Sequence, residues 1–325
     1  MGAKSSGQSC KTDEHCLERW LSRPTLVVTL WEIKPPDEPG KRPWATFTHA
    51  RISILAAFVL SFEIMTHSPI FDLDNIKELA RAAGDIALGY FRNTTVTMKA
   101  DDTPVTAADK AIERFLTAEL RQAYPDFGIL GEEGADLDQD AAYRWVLDPI
   151  DGTNAFAAGL PVWGISIGLM QDSQPLAGVI YLPAVDDCFA VDLEGPATLN
   201  GRPIHVIAPG QPISAESIIL GSADAHLRWD IRFPGKVRAF GSCAAHFCYV
   251  AAGSALAGLN THTAIWDIAA ALPILQRAGG AAELLSGAPL PLESAARGVK
   301  IPEPVFYGAP YYLDAIRAQL HSKKS

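Results

Sequence analysis

A disulfide framework and a structural zinc site are the first things this 325-residue sequence does without. Its five cysteines, Cys10, Cys16, Cys188, Cys243 and Cys248, are odd in number and include no Cys-x-x-Cys pair. That argues against both features and fits a reducing cytoplasm. Positive charge is also scarce: 27 Lys and Arg stand against 37 Asp and Glu, a net charge of −10. No basic stripe of the kind that grips a nucleic-acid backbone is visible, so no nucleic-acid partner is expected. An acidic chain can still take an anionic substrate where metal ions reverse the local sign. A long apolar run is missing as well. The best candidate, ISILAAFVLSFEI from Ile52 to Ile64, contains Glu63. It falls short of the roughly 20 residues that span a bilayer, and it lies too far along the chain for a secretory signal. No stable membrane insertion is expected, and no internal repeat is present.

What is there divides unevenly. The first 64 residues hold 8 Lys and Arg and 7 Asp and Glu, so the net negative charge lies after them. Their segment KPPDEPGKRP is proline-rich and charged, a composition that resists folding. MGAKSS fits the loose myristoylation pattern at Gly2 and Ser6, a pattern short enough to arise by accident. Residues 1–64 read as a poorly ordered or non-native extension, with Met65 as the working start. The remaining length suits two lobes, 65–212 and 213–325.

After the extension, Leu73, Ile76, Leu79, Ala83, Ile86 and Tyr90 recur at helical spacing, with Asp72 or Asp74 available as a cap. Ile112, Phe115, Leu116 and Leu120 mark a second amphipathic helix, which Tyr124-Pro125 ends. FGILGEEG and RWVLD read as short strands. From Trp163, WGISIGLM, LAGVIYLP and DCFAVDL are β-type runs broken by turns, and Asn200-Gly201 signals a hairpin. Helices are expected over Ser242–Gly258 and Ala264–Ala278, the latter closed by Gly279-Gly280, with Pro273 at a kink or in a first turn. Strands and helices in blocks predict layered α and β elements, an α+β fold.

The chemistry sits in carboxylates at element ends. Asp109 follows TPVTAA, Glu132 and Glu133 follow a short strand, Asp148 and Asp151 follow the next, and Asp267 opens a helix. Magnesium prefers hard oxygen ligands on rigid elements. Each residue also has an ordinary reading. Thr106-x-x-Asp109 is a capping box, Glu132-Glu133 a solvated turn, and Asp267 a partner of the helix dipole. DPIDGT could be only a turn and a cap. Cys243 and Cys248 read as packing residues, and His246 and His262 as structural or substrate-contacting. The joint occurrence of the acids around DPIDGT favours a metal and phosphate site.

WVLDPIDGTNAF, with GEEG upstream and AIWDIAAALPILQRAGG downstream, resembles the hallmarks of the inositol monophosphatase family. KADDTPVTAADKAIE, PAVDDCFAV and TLNGRPI resemble further segments in the right order, from about Asp72 to Pro310. The resemblance implies a layered α-β-α-β-α sandwich, of the inositol monophosphatase and fructose-1,6-bisphosphatase type. It also implies a magnesium-dependent phosphomonoesterase, commonly a homodimer, with two or three Mg²⁺ ions. It assigns Glu132, Asp148 and the Ile150 carbonyl to one ion, and Asp148, Asp151 and Asp267 to a second. Asp109 and Glu132 would act on a weaker third, largely through water. Thr153 would help activate the attacking water, and Gly152 and Thr153 would receive phosphate. Gly241, Ser242, Cys243, Asn260 and Asp267 would meet the substrate. Asn260 stands where inositol-specific members commonly carry glutamate, which leaves the substrate open. A small polyol or sugar phosphate is expected first. Histidinol phosphate, a 3′(2′),5′-bisphosphate nucleotide and fructose 1,6-bisphosphate are the alternatives, and a catalytically idle metal-binding regulator is a remote one. The nucleotide reading expects Arg228, Arg232 and Arg238 to face the site.

Overall fold

Residue spacing fixes the first layer. In the computed structural model, which describes residues 70–98 and 104–323, helix α1 runs Leu73–Tyr90 and is capped by Asp72, whose carboxylate accepts from the Asp74 and Asn75 N–H groups. Residues 1–64, with Gly2, Cys10, Cys16 and the apolar run, lie outside the described residues, as do residues 99–103. The strand pair β1 (Val96–Met98) and β2 (Pro104–Thr106) leads into α2, Ala107–Ala123. Ile76, Ala80 and Ala83 of α1 and Ile112, Leu116 and Leu120 of α2 are buried together, as their spacing predicts. Gly84 lets α1 approach closely, because a Cβ there would come within 2.7 Å of the Tyr181 ring.

These helices cover one face of an eight-stranded sheet, ordered β10-β9-β8-β7-β6-β5-β3-β4. Its strands are β3 (Gly128–Gly131), β4 (Asp136–Leu137), β5 (Tyr143–Asp151), β6 (Gly164–Gln171), β7 (Gln174–Leu182), β8 (Asp187–Val191), β9 (Thr198–Leu199) and β10 (Arg202–Pro203). All pairings are antiparallel except β3 with β5. The β9–β10 hairpin turns at Asn200-Gly201, both at positive φ, as the dipeptide signals.

A short helix α3 (Thr153–Ala157) follows β5. Beyond β10 the chain forms β11 (Ile218–Gly221), α4 (Ala225–Arg228), β12 (Trp229–Ile231), β13 (Lys236–Arg238), α5 (Cys243–Ala251), β14 (Ala257–Asn260), α6 (Ile265–Ile268), α7 (Ala271–Arg277), β15 (Ala281–Leu284), α8 (Leu292–Ala295), β16 (Val305–Gly308), α9 (Pro310–Arg317) and β17 (Leu320–Ser322). A five-stranded mixed sheet has the order β13-β11-β14-β16-β15. Helices α5 and α7 lie between the two sheets, contacting β7 on one side and β14 or β15 on the other, while α9 covers the outer face. The result is the layered α-β-α-β-α sandwich.

Two boundaries differ from the sequence reading. The helix expected over Ser242–Gly258 ends at Ala251, because Gly253 turns the chain at φ 74° and β14 begins at Ala257. The helix expected over Ala264–Ala278 is two helices, α6 and α7, and Pro273 sits in the first turn of α7, where its missing N–H costs nothing.

Candidate active site

The site begins with a spacing problem in β5. Side chains alternate faces along a strand, so Asp148 and Asp151, three apart, should point to opposite faces. Asp148 pairs with Ser166 but Asp151 pairs with Gly164, so β5 carries one extra residue there. This bulge at Pro149-Ile150 returns Asp151 to the face of Asp148. It leaves Ile150 fully buried on the α1–α2 side. Helix α6 lies against β5 and β6 and brings in Asp267. Carboxylate oxygens of Asp148, Asp151 and Asp267 all come within 4.8 Å of one another.

That proximity has an electrostatic cost. Burial pushes the Asp148 carboxyl well above its usual range, and the charges of Glu132, Asp151 and Asp267 add to it. Burial and then the Asp151 charge do the same to Asp267, against the Ala264 N–H that it accepts. Asp151 is raised by burial only to about 6, because Ser242 Oγ and the Cys243 and Ala244 N–H groups donate to it. Oδ1 of Asp148 is buried with no hydrogen-bond partner. An all-oxygen donor set with an orphaned anionic oxygen fits a hard divalent cation such as Mg²⁺.

The neighbouring groups are fixed by short-range bonds. Glu132 follows β3, and its N–H donates to the Leu147 carbonyl of β5 at 3.1 Å. Asp109 is buried in α2 and forms the expected capping box, accepting from the Thr106 N–H and hydroxyl. It also lies 3.3 Å from Thr153 Oγ1, which stands 3.0 Å from the Ile150 carbonyl. The cap uses Asp109 Oδ2 and leaves Oδ1 toward Thr153. Burial raises the Asp109 pKa, against the Thr106 bonds. Gly152 takes φ 91°, and a Cβ there would come 2.8 Å from the Gly241 carbonyl oxygen. Gly152→Ala is expected to lower the melting temperature by several degrees through strain and clash, on the order of 1–3 kcal/mol. A scanning-calorimetry melt unchanged from wild type would refute it.

A family model described as the inositol monophosphatase family matches residues 72–305. The chain belongs to the inositol monophosphatase family. It is 35% identical over 219 residues to a histidinol-phosphatase of Chlorobaculum parvum, covering 64% of this chain and 84% of that protein. It is 32% identical over 231 residues to an inositol-1-monophosphatase of Rhizobium meliloti, covering 67% and 84%. The solved inositol monophosphatase of Anabaena superposes with a TM-score of 0.63 at 29% identity, covering 76% of this chain and 94% of that one. The protein is thus a phosphoric monoester hydrolase of the inositol monophosphatase type.

Within this family member the residues expected on the substrate side form a layered arrangement. Gly241 has φ 94° and Ser242 caps α5. Cys243 is half-buried, whereas Asn260 is 1% exposed. Asn260 belongs to a relay whose polarity starts from a backbone donor. The Phe240 N–H donates to His246 Nε2 at 2.9 Å, so that nitrogen carries no proton. The proton therefore sits on Nδ1, 3.2 Å from Asn260 Oδ1. Tyr307 OH also reaches Oδ1, at 3.4 Å, and Asn260 Nδ2 donates to Cys243 Sγ at 2.7 Å. Burial pushes His246 down to about 4, in keeping with a neutral ring. His262 is exposed beside Asp224, and Cys248 is buried in the core. Arg228 pairs with Asp224, Arg232 with Asp230, and Arg238 donates to the Val237 carbonyl.

The sequence reading missed Glu113. Its carboxylate accepts the Glu133 and Ala135 N–H groups at 2.7 and 3.0 Å. The signal was present, since Glu113 lies four residues after Asp109 on the same helix face.

Proposed function

We propose that this chain hydrolyses a small polyol or sugar phosphate, with Glu132, Asp148, Asp151, Asp267 and the Ile150 carbonyl holding two Mg²⁺ ions and Asp109 with Glu132 tending a third. The observation that carries this reading is the convergence of three carboxylates within 4.8 Å. Bound Mg²⁺ would neutralise the phosphate, acidify a water and stabilise the leaving alkoxide. The protein's own residues do the rest. Thr153 donates a hydrogen bond to Asp109 or to the Ile150 carbonyl, which leaves its oxygen lone pairs to accept a hydrogen bond from the attacking water; as the water loses its proton through Thr153, the Thr153 proton passes to Asp109. Asp109, with its pKa raised, is suited to receive that proton. The Gly152 and Thr153 N–H groups offer donors to phosphate, although the five residues of α3 add little dipole. Gly241 and Ser242 set the start of α5 against Asp151. Cys243 and, behind it, Asn260 bound the leaving-group side.

The relay also favours a polyol over an ammonium-bearing leaving group. Oδ1 of Asn260 is occupied by His246 and Tyr307, so Asn260 acts as a donor toward Cys243. The named histidinol-phosphatase relative supports histidinol phosphate as the second reading. Relatives named Nus factor SuhB, at 32% and 34% identity, lend the regulator reading some support, but the convergence of Asp148, Asp151 and Asp267 favours hydrolysis. A lobe division at residue 212 accords with the eight-stranded sheet ending at Pro203 and the five-stranded one starting at Ile218. A cytoplasmic homodimer is part of the same proposal. The free thiols Cys188, Cys243 and Cys248 agree with the compartment. Among the described residues no helix is long and apolar enough to cross a membrane.

The test is phosphate release from inositol 1-phosphate, histidinol phosphate, fructose 1,6-bisphosphate and adenosine 3′,5′-bisphosphate, with and without Mg²⁺. Mg²⁺-dependent release is expected with inositol 1-phosphate ahead of histidinol phosphate by at least about tenfold in kcat/KM, the equivalent of one hydrogen bond. The opposite order would overturn the polyol reading and leave the metal assignment standing.

A further inference from the structure

The acidic turn after β3 is held by a residue of α2 that is not among the proposed metal ligands. We propose that Glu113 is a positioning residue, which sets the Gly131–Glu133 turn so that Glu132 can bind Mg²⁺. The proposal rests on the reading of Glu132 as a ligand.

The geometry is specific. Glu113 sits on α2, is 6% exposed, and places one carboxylate oxygen on the Glu133 N–H and the other on the Ala135 N–H. Two backbone donors on the two oxygens of one carboxyl fix its orientation as well as its position. Glu132 lies directly before the first of these donors. Its own N–H is fixed on the Leu147 carbonyl, one residue before Asp148. The main chain is therefore pinned on both sides of the Glu132 Cα, once by β5 and once by α2. Gly131 completes the clamp. A Cβ at Gly131 would occupy the space of the Glu113 carboxylate, so the glycine exists where the clamp needs room. Further round the turn, Gly134 takes φ 117°, open to glycine at no steric cost. Helix α2 thus serves the site twice on one face. Asp109 faces Thr153, and Glu113 holds the turn four residues further along. Groups that orient a ligand from behind commonly govern metal affinity, because a ligand free to swing must be ordered on binding.

A residue that merely stabilises the fold would lower the melting temperature without a selective loss of metal affinity. Calorimetric titration of the full chain with MgCl₂ separates the two. Glu113→Ala is expected to weaken Mg²⁺ binding about 10–100-fold. Glu113→Gln, which keeps one acceptor, should fall between it and wild type. The Mg²⁺ concentration for half-maximal phosphate release should rise in step, and kcat at saturating Mg²⁺ should recover to within about threefold of wild type. Gly131→Ala, which displaces the carboxylate without removing it, should shift affinity in the same direction and serves if Glu113→Ala does not fold. Unchanged Mg²⁺ affinity in folded Glu113→Gln and Gly131→Ala proteins would overturn the proposal while leaving the metal site intact. Failure of the wild-type protein to bind Mg²⁺ would overturn the underlying ligand assignment as well.

Discussion

Asp148→Asn is expected to abolish turnover and yet to melt at a higher temperature than the parent protein in EDTA at pH 8. Losing a ligand that helps neutralise transition-state charge is worth several kcal/mol, and about 4 kcal/mol corresponds to roughly a 10³-fold fall in kcat. The stability effect has the opposite sign because the Asp148 carboxyl is buried among other acids with no cation beside it among the described residues. It is 2% exposed, its Oδ1 has no partner, and Glu132, Asp151 and Asp267 all repel it. An amide removes the repulsion and can donate to a neighbouring carboxylate. About 1 kcal/mol of relief would move the melting temperature by about 2–4 °C in a domain of this size. Asp151→Asn supplies the contrast. It should lose turnover to a similar extent but melt lower, because Asp151 accepts from Ser242 Oγ and from the Cys243 and Ala244 N–H groups. An amide nitrogen turned to those donors leaves at least one buried N–H or hydroxyl unmet. Parent-like activity in Asp148→Asn would remove it from the ligand set. A lower melting temperature than Asp151→Asn in EDTA would refute the electrostatic account.

The second large effect is the response of stability to Mg²⁺ as a function of pH. Without metal, the carboxyls of Asp148, Asp151 and Asp267 have pKa values above those of the unfolded chain, with Asp151 at about 6. An acid whose pKa is raised on folding contributes stability that is fully present below the unfolded pKa, about 3.9. That contribution is lost as pH rises through the folded value. Metal-free protein should therefore lose this contribution from pH 5 upward. Mg²⁺ takes the ionised forms, so its stabilisation should grow over the same range, reaching about 2.7 kcal/mol at a Mg²⁺ concentration 100 times its Kd. His246 titrates in the opposite sense. Its pKa is depressed to about 4, so its contribution is present above about 6.5 and fades as pH falls through 4. It is not a ligand in the proposed set, and its effect cancels when melts with and without Mg²⁺ are subtracted. Differential scanning fluorimetry at pH 5, 6, 7 and 8 reads that difference. A Mg²⁺-induced shift equal at pH 5 and pH 8 would refute the assignment of these carboxylates to the metal.

Local chemistry made much of this legible before any coordinates. The caps at Asp72 and Thr106, the buried faces of α1 and α2 and the Asn200-Gly201 hairpin follow from residue type and spacing over a few positions. The alanine-rich stretch after Ser242 misled because helix propensity is a weak preference, which the turn at Gly253 and the pairing of β14 override. The sequence places Asn260 among the expected substrate contacts. Its burial and its amide polarity depend on Phe240 and His246 from one stretch of the chain and on Tyr307 from another.

The sequence by itself determined the kinds of atoms available to the site: acidic oxygens at element ends, a hydroxyl at Thr153, and glycines where the backbone must turn through positive φ. Only the tertiary structure decided that those atoms meet. The β5 bulge reverses the face of Asp151, α6 carries Asp267 across to β5, and Glu113 holds the Glu132 turn from α2. The physical reason is that side-chain periodicity is a local property, whereas the few ångströms between carboxylates more than a hundred residues apart are set by how layers pack.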